Sequence, residues 1–265
     1  RRFRCGTLAD SDPLLGGLPM LRALVVLALL MVSILPAEAK RVALVIGNGK
    51  YLHVNTLNNP PNDAALMAEV LAASGFDVIQ LYDLDQRAMK QAMLAFGRKL
   101  KEGAEASVFY YAGHGVEVDG VNFLVPVDAD VRNKEEADIQ NVRVNDFLAL
   151  MENSGVPLNI VVFDACRNNP FRSLRSTGGG LAPVRAPRGT YVAYATAAGE
   201  VAADGQGKNS PFTAALAESL TIPGLRLEDV FKRTREKVLA ATNNEQLPFD
   251  SSAITGERAS ERWKS

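Results

Sequence analysis

Four apolar residues in succession, Ile160-Val161-Val162-Phe163, run straight into Asp164-Ala165-Cys166-Arg167. A short β-branched run without polar alternation is a strand buried on both faces, and such strands belong to parallel sheets covered by helices on each side. The end of a central parallel strand opens on a crevice at the carboxyl edge of the sheet, where side chains can meet a ligand. Asp164 and Cys166 stand at that end. Position alone does not make Cys166 a nucleophile, because most free cysteines behave as small buried hydrophobes. A nucleophilic thiol needs a base beside it.

The rest of the chain supplies neighbours for that strand. Residues 41–46 (RVALVI) read as a buried strand, which Gly47-Asn48-Gly49 turns out of the sheet. This G-x-G lacks the third glycine of a dinucleotide loop and satisfies no phosphate-loop pattern, so nucleotide binding is not expected. Residues 58–62, with two prolines, lead into a helix over 63–74 that Gly75 stops. A second strand over 77–83 precedes a second helix over 85–101, with Met89, Met93, Phe96 and Leu100 at helical spacing. Residues 108–115 (VFYYAGHG) form a third strand with His114 just beyond its end. This alternation builds an α/β fold with a mostly parallel sheet and helices on both faces. Downstream, 116–126 read as a hairpin around Asp119-Gly120, 145–154 as a helix, 158–164 as the cysteine strand and 190–196 as another strand. Helices follow from Ser210-Pro211 and over 227–242. Residues 168–189, rich in Gly, Pro and Arg, read as a long loop without structure of its own.

Cys166 follows His114 by about 50 residues, near the offset between the caspase histidine and the cysteine of its Q-A-C-[RQG]-G motif. With Gly113-His114-Gly115 and Asp164-Ala165-Cys166-Arg167-Asn168, the chain resembles the caspase-like cysteine peptidases. It is nearest their metacaspase, orthocaspase and paracaspase branches, which carry Asp two residues before the cysteine. The resemblance covers about residues 41–256 and implies a caspase-like three-layer sandwich as one domain over 40–256.

A thiol loses its proton more readily beside a protonated imidazole, which can then protonate a leaving amine, so Cys166 and His114 are the candidate catalytic pair. The flanking glycines are expected to leave room for a substrate backbone. The resemblance implies an oxyanion hole from the backbone N–H groups of Gly115 and Cys166, and a pair that works as a dyad without a third member. It also implies cleavage after Arg or Lys. Caspases that cut after aspartate have Gln where this chain has Asp164, and Asp63 and Asp204 match further substrate-binding positions of the family. Acids facing a guanidinium form charge-assisted hydrogen bonds and repel an acidic side chain. Taken singly, each of these acids could equally be a helix cap or a solvated surface charge. The loop over 168–189 matches the segment where relatives cut themselves, which makes Arg172, Arg175, Arg185 and Arg188 self-cleavage candidates.

The chain departs from many metacaspases in carrying Ala112 in place of a serine and Pro60 near the place of a cysteine. Residues 128–138 (DADVRNKEEAD) hold no recognisable calcium cluster and read as a solvated charged loop. No cofactor is required, calcium activation is left open, and His53 reads as a surface residue in a chain where no zinc site is expected. The expected partners are proteins or peptides with basic residues, and the expected state is a monomer. The alternative is a caspase-like domain that has lost catalysis and serves as a binding or scaffold module. A redox-sensing thiol is a weaker third reading.

Residues 20–39 read as a secretory signal, with Arg22, the apolar stretch 23–35 and the small-x-small site Ala37-Glu38-Ala39. The apolar stretch is shorter than the roughly 20 residues of a membrane span, so removal after Ala39 and export to a periplasm or the exterior are expected, without stable membrane insertion. Residues 1–19 are expected to be unstructured or a mis-assigned leader, and 257–265 to be a tail. Loss of the leader takes Cys5 with it and leaves Cys166 as the sole thiol, unable to form an internal disulfide in an oxidising compartment. A net charge of −1 offers no basic surplus to nucleic acid or to an anionic membrane.

Overall fold

The computed structural model describes residues 40–166, 170–171, 181–197 and 207–255. Strand β1 (Lys40–Gly47) is followed by α1 (Pro60–Ala73), β2 (Asp77–Tyr82), α2 (Gln86–Leu100) and β3 (Ala104–Val118). Next come β4 (Val121–Leu124), α3 (Lys134–Gln140), β5 (Val142–Arg143), α4 (Val144–Glu152) and β6 (Leu158–Cys166). Strand β7 (Thr190–Tyr194), α5 (Pro211–Leu220), α6 (Leu227–Ala241) and β8 (Phe249–Ser252) complete the order.

The main sheet runs β2-β1-β3-β6-β7-β8, parallel throughout except for the antiparallel edge strand β8. Its strands alternate cleanly between two apolar layers, as the two-residue period of a pleated strand demands. In β3, Val108, Tyr110 and Ala112 pack with α1, α5 and α6. Phe109 and Tyr111 pack on the other face with α2 and α4, where Phe109 stacks on Phe147 at 4.1 Å between ring centroids. The result is the mostly parallel caspase-like sandwich expected from the sequence.

Strand β3 differs from that expectation at its end. It does not stop before His114 but continues to Val118, leaving the main sheet and pairing antiparallel with β4 from Gly115 onward. Asp119 and Gly120 both have positive φ (50° and 82°), the conformation a two-residue hairpin turn requires. The charged stretch 128–138 also differs from a solvated loop. Asn133 caps α3 by accepting the Glu136 N–H at 2.8 Å, and Ala137 is fully buried in a small cluster under the hairpin. The segment 181–189 is likewise no free loop. Leu181 is buried, Asn122 exchanges two hydrogen bonds with the Ala182 backbone, and the Val184 N–H donates to the Tyr194 hydroxyl at 3.1 Å.

Candidate active site

Parallel register sets the backbones of the two candidate residues side by side. Along β3 and β6 the paired residues are Ala112 with Asp164, Gly113 with Ala165, and His114 with Cys166. Adjacent strands lie about 4.8 Å apart, so the backbones of His114 and Cys166 are immediate neighbours at the carboxyl edge of the sheet. This edge flanks the point between β1 and β3 where the strand order reverses, the usual crevice of an open α/β sheet.

His114 is 5% exposed and held from several directions. Its Nε2 lies 2.7 Å from the Asn55 carbonyl oxygen, and because a carbonyl only accepts, Nε2 carries a proton and donates. A neutral ring held in this tautomer keeps its basic lone pair on Nδ1. The His114 backbone N–H donates to the Tyr51 hydroxyl at 2.7 Å, and the Tyr51 ring packs on the imidazole with centroids 4.5 Å apart. Tyr111 donates to the His114 carbonyl oxygen at 2.9 Å and shares that proton with the Val125 carbonyl at 3.1 Å. Asn55 and Tyr51 were not anticipated from the sequence. A backbone carbonyl leaves no residue signature, and Tyr51 is one aromatic in an irregular turn.

The flanking glycines are required by the protein's own packing. A Cβ on Gly113 would stand 2.6 Å from the Tyr51 hydroxyl and 2.7 Å from that of Tyr111, and its φ of +152° also favours glycine. A Cβ on Gly115 would meet Leu181 at 2.9 Å. Tyr51, Tyr111 and Leu181 thus take the space that a side chain at either glycine would need, and press on the strand where it carries the histidine.

Two of the candidate substrate-binding acids converge on the first turn of α5. Asp63, 2% exposed on α1, accepts from the Ser210 backbone N–H at 3.0 Å and from Asn209 Nδ2 at 2.9 Å. Asp164, 7% exposed on β6, accepts from the Ser210 hydroxyl and from Thr213 Oγ1 at 2.6 Å. Ser210 is also the cap of α5, its oxygen accepting the Thr213 N–H at 2.9 Å. Burial, and then the charges of Asp164 and Asp63, hold the Tyr110 hydroxyl well above the usual tyrosine range. Both acids thus anchor the amino end of a helix, whose dipole favours negative charge there.

Asp204, Arg172 and Arg175 lie outside the described residues. Arg185 and Arg188 are exposed and line one cleft with Glu152, Ala253 and Thr255. Arg188 sits in a turn closed by the Thr190 N–H and the Pro187 carbonyl, and Thr190 pairs with Asn159 near the start of β6. At about 3.3 Å per residue, that is roughly 20 Å from Cys166. His53 is exposed. Two acids of residues 128–138 pair with cations: Asp130 with Arg132, and Asp138 with both Nε and an Nη of Arg143. Among the described residues no group of three or more His, Cys, Asp or Glu side chains could hold a metal ion, and no helix is long and apolar enough to cross a membrane.

The profile of the caspase domain matches residues 40–258. Among curated proteins, the human mucosa-associated lymphoid tissue lymphoma translocation protein 1 is 35% identical over 134 residues, which is 50% of this chain and 16% of that protein. Its mouse homolog is equally similar, over 15% of its length. The chain therefore spans a small part of the relatives it matches. Because the caspase profile takes in every described strand and helix, from β1 to β8, the chain belongs to the caspase domain family.

Proposed function

We propose that this chain is a cysteine endopeptidase in which Cys166 is the nucleophile, His114 the general acid and base, and Arg or Lys the residue preceding the cut. The observation that carries the reading is the pairing of His114 with Cys166 on adjacent central strands. The Cys166 thiolate attacks the scissile carbonyl and forms a tetrahedral intermediate, whose oxyanion the Gly115 and Cys166 backbone N–H groups receive. His114, steadied through Nε2 by the Asn55 carbonyl, passes a proton to the departing amine from Nδ1. The acyl-enzyme then reacts with water, which His114 deprotonates, and the thiolate is restored. Asp63 and Asp164, fixed by the α5 cap, supply negative charge toward a guanidinium or ammonium group. Self-cleavage at Arg188 is intermolecular on this reading, because the sheet holds that turn far from Cys166. Export after removal of residues 20–39 and action as a monomer complete the proposal, with calcium activation to be tested alongside.

Short fluorogenic peptides differing only in the residue before the cut test it, with and without calcium. Arg and Lys peptides are expected to be hydrolysed, with activity lost at least 1000-fold in Cys166→Ala and in His114→Ala, on the scale typical of nucleophile removal. Hydrolysis that survives Cys166→Ala, or a preference for Asp before the cut, refutes the proposal.

A further inference from the structure

We infer that Asp83, just past β2 and two strands across the sheet from His114, is a positioning residue for His114 and acts through the loop that joins β1 to α1. The inference rests on the reading of His114 as the general acid and base. That loop makes two of the contacts to His114 described above, the Asn55 carbonyl on Nε2 and the Tyr51 hydroxyl under the backbone N–H. What holds the loop in shape is a short chain of hydrogen bonds. Asp83 Oδ1 accepts from the Gly49 and Lys50 N–H groups, both at 2.9 Å. The Gly49 carbonyl accepts from Tyr51 at 3.1 Å and from Leu57 at 3.0 Å, which folds residues 49–57 back on themselves. A Cβ on Gly49 would stand 2.6 Å from the Leu57 oxygen, so the fold of the loop needs glycine there. Fully buried Asn48 fixes the base of the loop beside Asp83, its Oδ1 accepting from the Leu84 N–H at 2.9 Å. One carboxylate oxygen just past the end of β2 thereby sets where Asn55 and Tyr51 stand relative to the imidazole.

The side chain must keep an acceptor at Oδ1 while the backbone keeps its φ of +48°. Asp83→Asn preserves both, since asparagine tolerates that conformation and retains a carbonyl oxygen. Asp83→Gly keeps the backbone unstrained but removes the acceptor. The decisive readout does not need activity. In protein labelled with nitrogen-15 histidine and carrying His53→Gln, His114 is the only imidazole. Wild type and Asp83→Asn are expected to show one neutral tautomer with the proton on Nε2, and Asp83→Gly a mixture of tautomers. On peptide substrate, Asp83→Gly should lower kcat about tenfold with KM changed less than about twofold, and Asp83→Asn should stay within about threefold of wild type, the scale of one or two hydrogen bonds. Tyr51→Phe, which needs no backbone change, should speed exchange of the His114 amide hydrogen at least tenfold. If folded Asp83→Gly keeps the single tautomer and the kcat of wild type, or Tyr51→Phe leaves that exchange unchanged, the inference is overturned. Absence of peptidase activity in wild type would refute the proposed function, and the tautomer and exchange measurements would still decide the role of Asp83 and Tyr51.

Discussion

Replacing Gly113 by alanine separates two explanations of the Gly-His-Gly sequence. If the glycine were there to admit a substrate, a methyl group would disturb binding and leave the fold intact. The structure puts the new Cβ within 2.7 Å of two buried tyrosine hydroxyls that themselves hold the His114 backbone. The backbone cost of a non-glycine residue at φ +152° is about 1–3 kcal/mol, and overpacking adds about 1–3 kcal/mol. The reduced entropy of the unfolded chain returns about 0.4–1 kcal/mol, so a net loss of roughly 1–6 kcal/mol is expected. Gly120→Ala is the control, because that residue also has positive φ, +82°, but nothing lies within 4 Å of the added Cβ. It should cost only about 1 kcal/mol. Urea denaturation of both variants, and of Gly113→Ala combined with Tyr51→Phe, isolates the packing contribution. Removing the nearer hydroxyl should recover about 1 kcal/mol as a coupling between the two sites. A Gly113→Ala variant no less stable than Gly120→Ala would show that the tyrosine hydroxyls do not dictate the glycine.

Two further outcomes follow from the buried polar groups. Thr213 donates to Asp164 and so must accept from Tyr110, whose hydroxyl lies 2.5 Å away. Thr213→Val keeps the shape but strips both partners and should destabilise by about 2–3 kcal/mol, while Thr213→Ser should stay within about 1 kcal/mol; equal unfolding midpoints for the two variants would refute this reading. Tyr110 and Tyr191 are both pushed up, chiefly by burial and next by a nearby carboxylate, Asp164 in one case and Asp250 in the other. A raised folded-state value means their contribution is complete below the unfolded value near 10 and is lost as pH rises beyond it, by up to about 1.4 kcal/mol per pH unit for each tyrosine. Unfolding midpoints from about pH 9 to about pH 11.5 should fall steeply in wild type and less so in Tyr110→Phe and Tyr191→Phe; an unaltered slope in the double variant would contradict the argument.

Much of the architecture is written in apolar runs. β1, β3, β6 and β7 are continuous hydrophobic stretches because helices cover both faces, and such runs are visible without a structure. The first turn of α5 is equally visible in Ser210-Pro211. Elements whose stability comes from partners rather than pattern are not. Helix α3 buries a single alanine, and its other apolar residue, Ile139, is exposed, so its seven residues carry no apolar period. Strand β8, Phe249-Asp250-Ser251-Ser252, exists because β7 offers it an edge. The same division runs through the candidate site. His114 and Cys166 announce themselves by residue type and strand position, whereas Asn55 acts through a carbonyl that any residue would supply. Tyr51 is meaningful only because β3 turns toward β4 beside it.

Different elements hold the two parts of the proposed site, and this makes them separable. The spacing of His114 and Cys166 is a backbone property of β3 and β6, each paired on both sides within the main sheet. A one-residue slip of either strand would turn every core side chain to the wrong face, so the pair cannot drift by small steps. Asp63 and Asp164, in contrast, are oriented by Asn209, Ser210 and Thr213 at the start of α5, which contributes nothing described to the His114 contacts. On the proposed reading, changes in the first turn of α5 alter which side chain is accepted before the cut, and changes in the loop after β1 alter how fast the bond is broken. On that same reading, choice of substrate rests on a helix cap and chemistry on strand register.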